Sequence, residues 1–286
     1  MFTAKIENVS GNMLTLTENE SDFQVISITG LNPPNAQINT ATLVGLDGAV
    51  FNSSKLETRN IVILIKINGD VENNRQLLYQ YFRTKEWCKF YYLNSSRNVS
   101  IEGYVQNVEC DLFTNAEMAQ ISIICPYPYF RSISEDTTDS TGVQPAFTFP
   151  FTINEGEPVI ISTFIDHEAI YINNDSESES GVLIEIDVRS AFNSIELKNT
   201  RQGEDFELNY AFQLGDRIII NTNKGKKSVY LMRNGVKINL FSVMKLGSVF
   251  FQLQPGSNII QYLIDGQSDN ESAYIMFRHF TIYRGV

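Results

Sequence analysis

Cysteine, histidine and tryptophan are scarce: the 286 residues hold three, two and one of them. The cysteines, Cys88, Cys110 and Cys125, are odd in number and lack the short paired spacing of zinc ligands. That argues against a disulfide framework and a zinc site and leaves free thiols in a reducing compartment. The histidines stand alone. His167 follows Asp166 in a predicted loop, His279 lies in a predicted strand beside Arg278 and Phe280, and no nucleophile-elbow motif accompanies either, so neither is expected to act as a general base. The single Trp87 lies at the end of a predicted helix, leaving the second half without the residue type that most often stacks on sugars. No run approaches the roughly 18 apolar residues of a membrane span, and the opening MFTAKIENVSGNMLTL has no apolar core of signal-peptide length. The expectation is a chain made in a cytoplasm that stays soluble, with the Asn-X-Ser triplets at Asn52, Asn94 and Asn98 reflecting only a sequence rich in Asn and Ser.

Positive charge is also short. Lysine and arginine number 22 against 33 acidic residues, a net charge of −11. Residues 1–132 carry 10 basic and 13 acidic groups (−3), and residues 133–286 carry 12 and 20 (−8). Without a basic stripe to override that field, a nucleic acid would be repelled.

What is abundant points to β-structure. Aromatic residues make up 12% of the chain, with 19 Phe and 13 Tyr. Asp47-Gly48, Asn68-Gly69, Asn234-Gly235 and Asp265-Gly266 each close a short apolar run, and such dipeptides suit tight hairpin turns because both residues tolerate positive φ. One segment differs. In GDVENNRQLLYQYF, Asp70 can cap a helix, and Leu77, Leu78, Tyr81 and Phe82 form one apolar stripe at helical spacing, read as core packing. From Ser132 to Ala146 the chain is polar and acidic, which predicts a linker over 133–147 between a first domain, 1–132, and a second, 148–286. The second reads as strands only, beginning with FTFPFTI and PVIIST, so an all-β sandwich of jelly-roll type is expected there.

Three motifs are weighed for chemistry. The run NTNKGKKSVYLM, 221–232, matches the end of a phosphate-binding loop at Gly225, Lys226, Lys227 and Ser228. Such a loop needs a glycine five residues before the Gly-Lys pair and a helix after it; Ile220 stands in the first place and a predicted strand in the second, so the segment is a hairpin turn with solvated lysines. Asp175, Glu177 and Glu179 alternate in NDSESESG but lack the spacing and central glycine of a calcium loop, and are expected to face water. Carboxylate pairs for glycoside cleavage cannot be chosen from 33 acidic residues by sequence. No catalytic residue, cofactor or metal is expected.

The order LVGLDGAVFNSSKLETRNIVILIKINGD, NNRQLLYQYF, GYVQNVEC and ISIICPYPYF, followed in the second half by FFQLQPGSNIIQYLIDG and MFRHFTIYRGV, resembles the distal tail protein family of siphoviruses, long-tailed non-contractile bacteriophages. The match runs over nearly the whole chain. The resemblance implies a mainly β fold: an N-terminal β-sandwich with one helix that forms a six-fold ring, and a C-terminal galectin-like β-sandwich. It implies a structural part of the virion's tail tip, assembled in the bacterial cytoplasm, with a homo-hexamer, the tail tube protein, a tail-associated fibre or lysin protein and receptor-binding proteins as partners. The His, Asn, Arg and Trp set with which galectins hold β-galactosides is not found around His167 or His279, so the likeness is one of shape.

Two other functions compete with a tail scaffold. A module binding cell-wall glycans would expose a stacking aromatic such as Tyr171, Tyr210 or Tyr262, and a β-sandwich hydrolase would bring two carboxylates, or a base and a nucleophile, into one cleft. For the scaffold, the candidate oligomer contacts are Leu46, Val50 and Phe51 in the predicted hairpin Leu43–Phe51, which is either an arm reaching another copy or folded back onto its own domain. The arm reading expects residues 1–132 alone to form rings.

Overall fold

The computed structural model describes residues 2–18, 21–45, 47–111, 117–140, 142–145, 162–165, 169–267 and 271–286, with backbone alone for 142–145 and 162–165. Leu46, His167 and most of the two strands expected over 147–163 lie outside the described residues. The chain forms two units, Met1–Ile133 with Ile282–Val286, and Ser134–Thr281.

In the first unit the strands are β1 (Thr3–Asn8), β2 (Met13–Thr17), β3 (Phe23–Thr29), β4 (Ala36–Ala41), β5 (Val50–Leu56), β6 (Arg59–Ile67), β7 (Trp87–Leu93), β8 (Asn98–Cys110), β9 (Met118–Cys125) and β10 (Phe130–Ser132), with helix α1 (Val71–Tyr81) between β6 and β7. The alternation in RNIVILIKI explains β6: Ile61, Ile63, Ile65 and Ile67 face the core, and Asn60, Val62, Leu64 and Lys66 face the other way. The large sheet runs β10-β8-β7-β1-β2-β3-β6-β9 and closes on itself, because the long β8 pairs with β7 from Asn98 to Tyr104 and with β9 from Tyr104 to Cys110, across a bulge at Val105/Asn107. Closure leaves fewer free edges, and the expected sandwich layer is thus one curled sheet. The helix is capped by Asp70, whose carboxylate accepts from the Asn73 amide at 3.3 Å, and it buries Leu78 and Phe82 in the core.

The second unit contains β11 (Asp136–Asp139), β12 (Gly142–Pro145), β13 (Ser162–Ile165), β14 (Ala169–Asn174), β15 (Val182–Val188), β16 (Phe192–Asn199), β17 (Glu204–Phe212), β18 (Arg217–Asn221), β19 (Ser228–Arg233), β20 (Val236–Asn239), β21 (Gly256–Ile264) and β22 (Ala273–His279). A six-stranded sheet, β11-β22-β15-β18-β19-β20, and a four-stranded one, β14-β21-β16-β17, share one core that includes Ile184, Ile186, Phe277, Leu197, Phe206 and Tyr262. That is two antiparallel layers over a common apolar interior.

Two features depart from the sequence reading. The expected linker 133–147 contains β11, which pairs with β22 from Asp136↔His279 to Asp139↔Met276, and the Ser140 side chain just after it is buried. Its acidic residues mark a sheet edge, where charge faces water, as much as they would mark a free connection. The chain also returns to the first unit after Thr281, where β23 (Ile282–Tyr283) pairs with β10, so 148–286 is not one domain.

Candidate functional site

β4 and β5 form a separate two-stranded ribbon, hydrogen-bonded to no other strand among the described residues. Its ladder runs from Ala36↔Leu56 to Ala41↔Val50, so the ribbon is longer than the expected hairpin Leu43–Phe51, most of which is its tip. Every described residue from Ala36 to Leu56 is exposed. Phe51 keeps 62% of its surface in water, Ile38 56% and Val50 50%. The ribbon is therefore not folded back onto its own unit.

A bulge decides which residues share a face. Asn39 pairs with Ser53 and Thr40 with Phe51, so Asn52 is the extra residue, and the alternation of β5 shifts by one. Opposed residues lie on one side of a ladder. Phe51 therefore joins Ala36, Ile38 and Leu56, whereas Val50 falls on the polar side with Gln37, Asn39 and Lys55, where the Asn39 amide donates to the Ser53 hydroxyl at 3.0 Å. Strand alternation parts Phe51 from Val50, and the bulge brings Phe51 onto one face with Ile38 and Leu56, which the sequence reading had not named. A bulge leaves no composition signal, so the regrouping could not be read from the chain.

The roots of the arm are gripped by Arg59, which is 3% exposed. Its guanidinium donates to the carbonyls of Pro128 at 2.7 Å, Asn32 at 2.6 Å and Arg284 at 2.6 Å, and to that of Gly30, and it lies over the Phe130 ring at 4.5 Å. Burial pushes its pKa below the ordinary arginine value, with the neighbouring Cys125 acting the other way. Gly30, at φ +85°, approaches β6 so closely that a Cβ would stand 2.1 Å from the Asn60 carbonyl oxygen. A signal for Arg59 was present: it is in phase with Ile61, Ile63, Ile65 and Ile67, and an arginine on an inward row must find acceptors inside.

The other candidates disperse. Lys226 and Lys227 are exposed in a turn closed by the Lys226 amide bonding the Asn223 carbonyl at 3.0 Å, and strand β19 follows where a phosphate loop requires a helix. Glu179 pairs with Lys224, which holds its carboxyl below the usual range, and the Asp175 carboxylate accepts from the Asn173 amide at 2.6 Å. Among the described residues no cluster of His, Cys, Asp and Glu is placed to hold a metal. Cys88 and Cys125 are buried free thiols with pKa values pushed up to about 12 by burial, so they stay protonated and inert. Tyr262 is buried, Tyr210 half-buried beneath Arg233, and Tyr171 exposed. Tyr171 and Tyr210 lie on the two outer strands of the four-stranded sheet, strands that are three spacings or roughly 14 Å apart, and the register sets them towards opposite ends of β16, so they do not share a sugar ring. A cleft of about 290 Å³ beside the arm roots and one of about 180 Å³ between α1 and the β1–β2 turn fall at or below the roughly 300 Å³ lower bound for small-molecule pockets.

The first unit is thus a closed β unit bearing an exposed two-stranded ribbon, and it is joined to a second, two-layer β unit. Residues 175–279 match the family model described as siphovirus-type tail component, C-terminal domain. Over nearly the whole chain the fold is that of the Dit protein of phage SPP1, whose crystal structure is titled a paradigm of the hub adsorption apparatus in phages infecting Gram-positive bacteria: TM-score 0.68 and 13% identity over 98% of this chain and 99% of that one. Chains of the phage p2 baseplate in its activated conformation, with Ca and with Sr, follow at TM-score 0.58 and 13% identity, covering 98% and 97% of this chain and 98% of theirs. No curated protein matches the sequence. The resemblance to siphovirus distal tail proteins drawn from the sequence is borne out; at 13% identity the likeness to these structures is one of fold.

Proposed function

We infer that this chain is the structural hub of a siphophage tail tip: six copies close into a ring that joins the tail tube to the tail-tip proteins, and the second unit carries receptor-binding or accessory proteins. The observation that carries this reading is the arm. A lone two-stranded ribbon is marginal in water, and one with Ile38, Phe51 and Leu56 along a single face is stabilised by a surface that covers them. A second copy supplies that surface if each protomer presents two unlike patches, and such a head-to-tail contact closes into a ring at the right rotation. The first unit suits the centre, since with 11 basic and 13 acidic residues (−2 per copy) it self-repels less than the second with 11 and 20 (−9). The role is non-catalytic, and the mature site is the virion.

Sedimentation of the full-length chain tests this reading. The expected species has six times the 32.4 kDa of one chain and appears as a ring in negative stain. A monomer at every concentration up to the micromolar range overturns it.

A further inference from the structure

Arg59 joins three stretches of the first unit that are remote in sequence. Gly30 and Asn32 lead into the arm, Pro128 precedes β10, and Arg284 belongs to the segment that comes back after the second unit. That segment makes further contacts at the same place. The Val286 amide donates to the Leu31 carbonyl at 3.1 Å, a Cβ on Gly285 would stand 3.0 Å from Pro33, and Arg97 donates to the Gly285 carbonyl while covering the Tyr283 ring at 4.6 Å. For a buried guanidinium, carbonyl dipoles and an aromatic face stand in for water, so loss of the Arg284 carbonyl leaves the cation under-solvated and the arm roots loosely held. In order of synthesis, 282–286 follows the entire second unit. The clasp therefore cannot close until that unit has been made.

We propose that Arg59 is the positioning residue of the arm and that docking of Ile282–Val286 onto it completes the arm's roots, so that a chain joins an assembly only after its second unit exists. The proposal rests on the ring reading above. It also revises the expectation that residues 1–132 alone form rings, since such a piece lacks a strand of its own unit.

The test compares the wild-type chain with a chain stopped after Thr281, with full-length Arg59→Lys, and with both changes together, by hydrogen–deuterium exchange and native mass spectrometry. Lysine keeps the charge but cannot fork to several carbonyls. Each variant is expected to exchange about tenfold or more faster in the arm ladder and at the Glu57 amide, which bonds the Asn35 carbonyl, and to lose its rings, while β6 and β9 stay protected. The combined variant should fall short of the sum of the two single effects, because both remove the bond from Arg59 to the Arg284 carbonyl. Wild-type arm protection and rings in the chain stopped after Thr281, or effects that add in the combined variant, overturn the proposal. If the stopped chain also loses protection across β6 and β9, full-length Arg59→Lys decides on the same two readings. A wild type that forms no ring defeats the ring reading, while arm exchange still judges the clasp.

Discussion

Two residues on inward rows carry groups that an apolar interior penalises, and each meets that penalty differently. Arg59 keeps its charge by bonding carbonyls. His279, 2% exposed on the same row of β22 as Phe277 and Ile275, has its pKa lowered from the ordinary 6.5 by burial, with Asp136 and Asp175 opposing. Its neutral form is the one the folded second unit favours. Below pH 6.5 the unfolded chain then binds a proton that the folded chain resists, so stability is full above 6.5 and falls as the pH drops towards the depressed value. Thermal unfolding of the second unit between pH 7.5 and 5 should show this decline, and His279→Phe should flatten it; equal slopes for the two proteins would place the titration elsewhere. The sequence located this histidine in a strand beside Arg278 and Phe280, but its row depends on pairing with β15 and β11, which no local pattern announces.

At the scale of elements, legibility followed length and periodicity. The nine residues of β6 alternate and α1 repeats at helical spacing, so both could be read directly, including the cap at Asp70 and the buried Leu78 and Phe82. Strands of four and two residues, β11 and β23, are too short for any period to register, and both are held by partners remote in sequence. The arm lay between these cases. Its Asp47-Gly48 turn was visible, but AQINTA and VFNSSKL carry no sustained apolar alternation, because a ribbon exposed on both faces has no core to impose it. The consequence for β11 is direct. A segment laddered to β22, with the Tyr274 hydroxyl bonded to Asp139 at 3.0 Å and the Thr281 hydroxyl to Asp136 at 2.9 Å, should resist limited proteolysis. Peptide mapping should find no early cut within Asp136–Asp139; a first cut there, with β15 intact, would restore the linker reading.

At the scale of the molecule, the chain divides its work by charge and by shape. A closed, nearly neutral unit bears an apolar-faced arm, and a more acidic two-layer unit is joined to it by two passages of the chain. The hub proposed above uses those qualities, assigning self-association to the first unit and the binding of other proteins to the second. Ring closure rests on the apolar face of the arm in this reading, and native mass spectrometry of the wild type beside full-length Ile38→Ser/Phe51→Ser measures it most directly. Exposed substitutions of this kind change the stability of a protomer by about 0.5 kcal/mol or less, so the variant should keep the wild-type circular dichroism and unfolding midpoint. Six-copy assemblies are expected for the wild type and folded monomers for the variant; a variant that retains the wild-type ring would contradict the role of the arm.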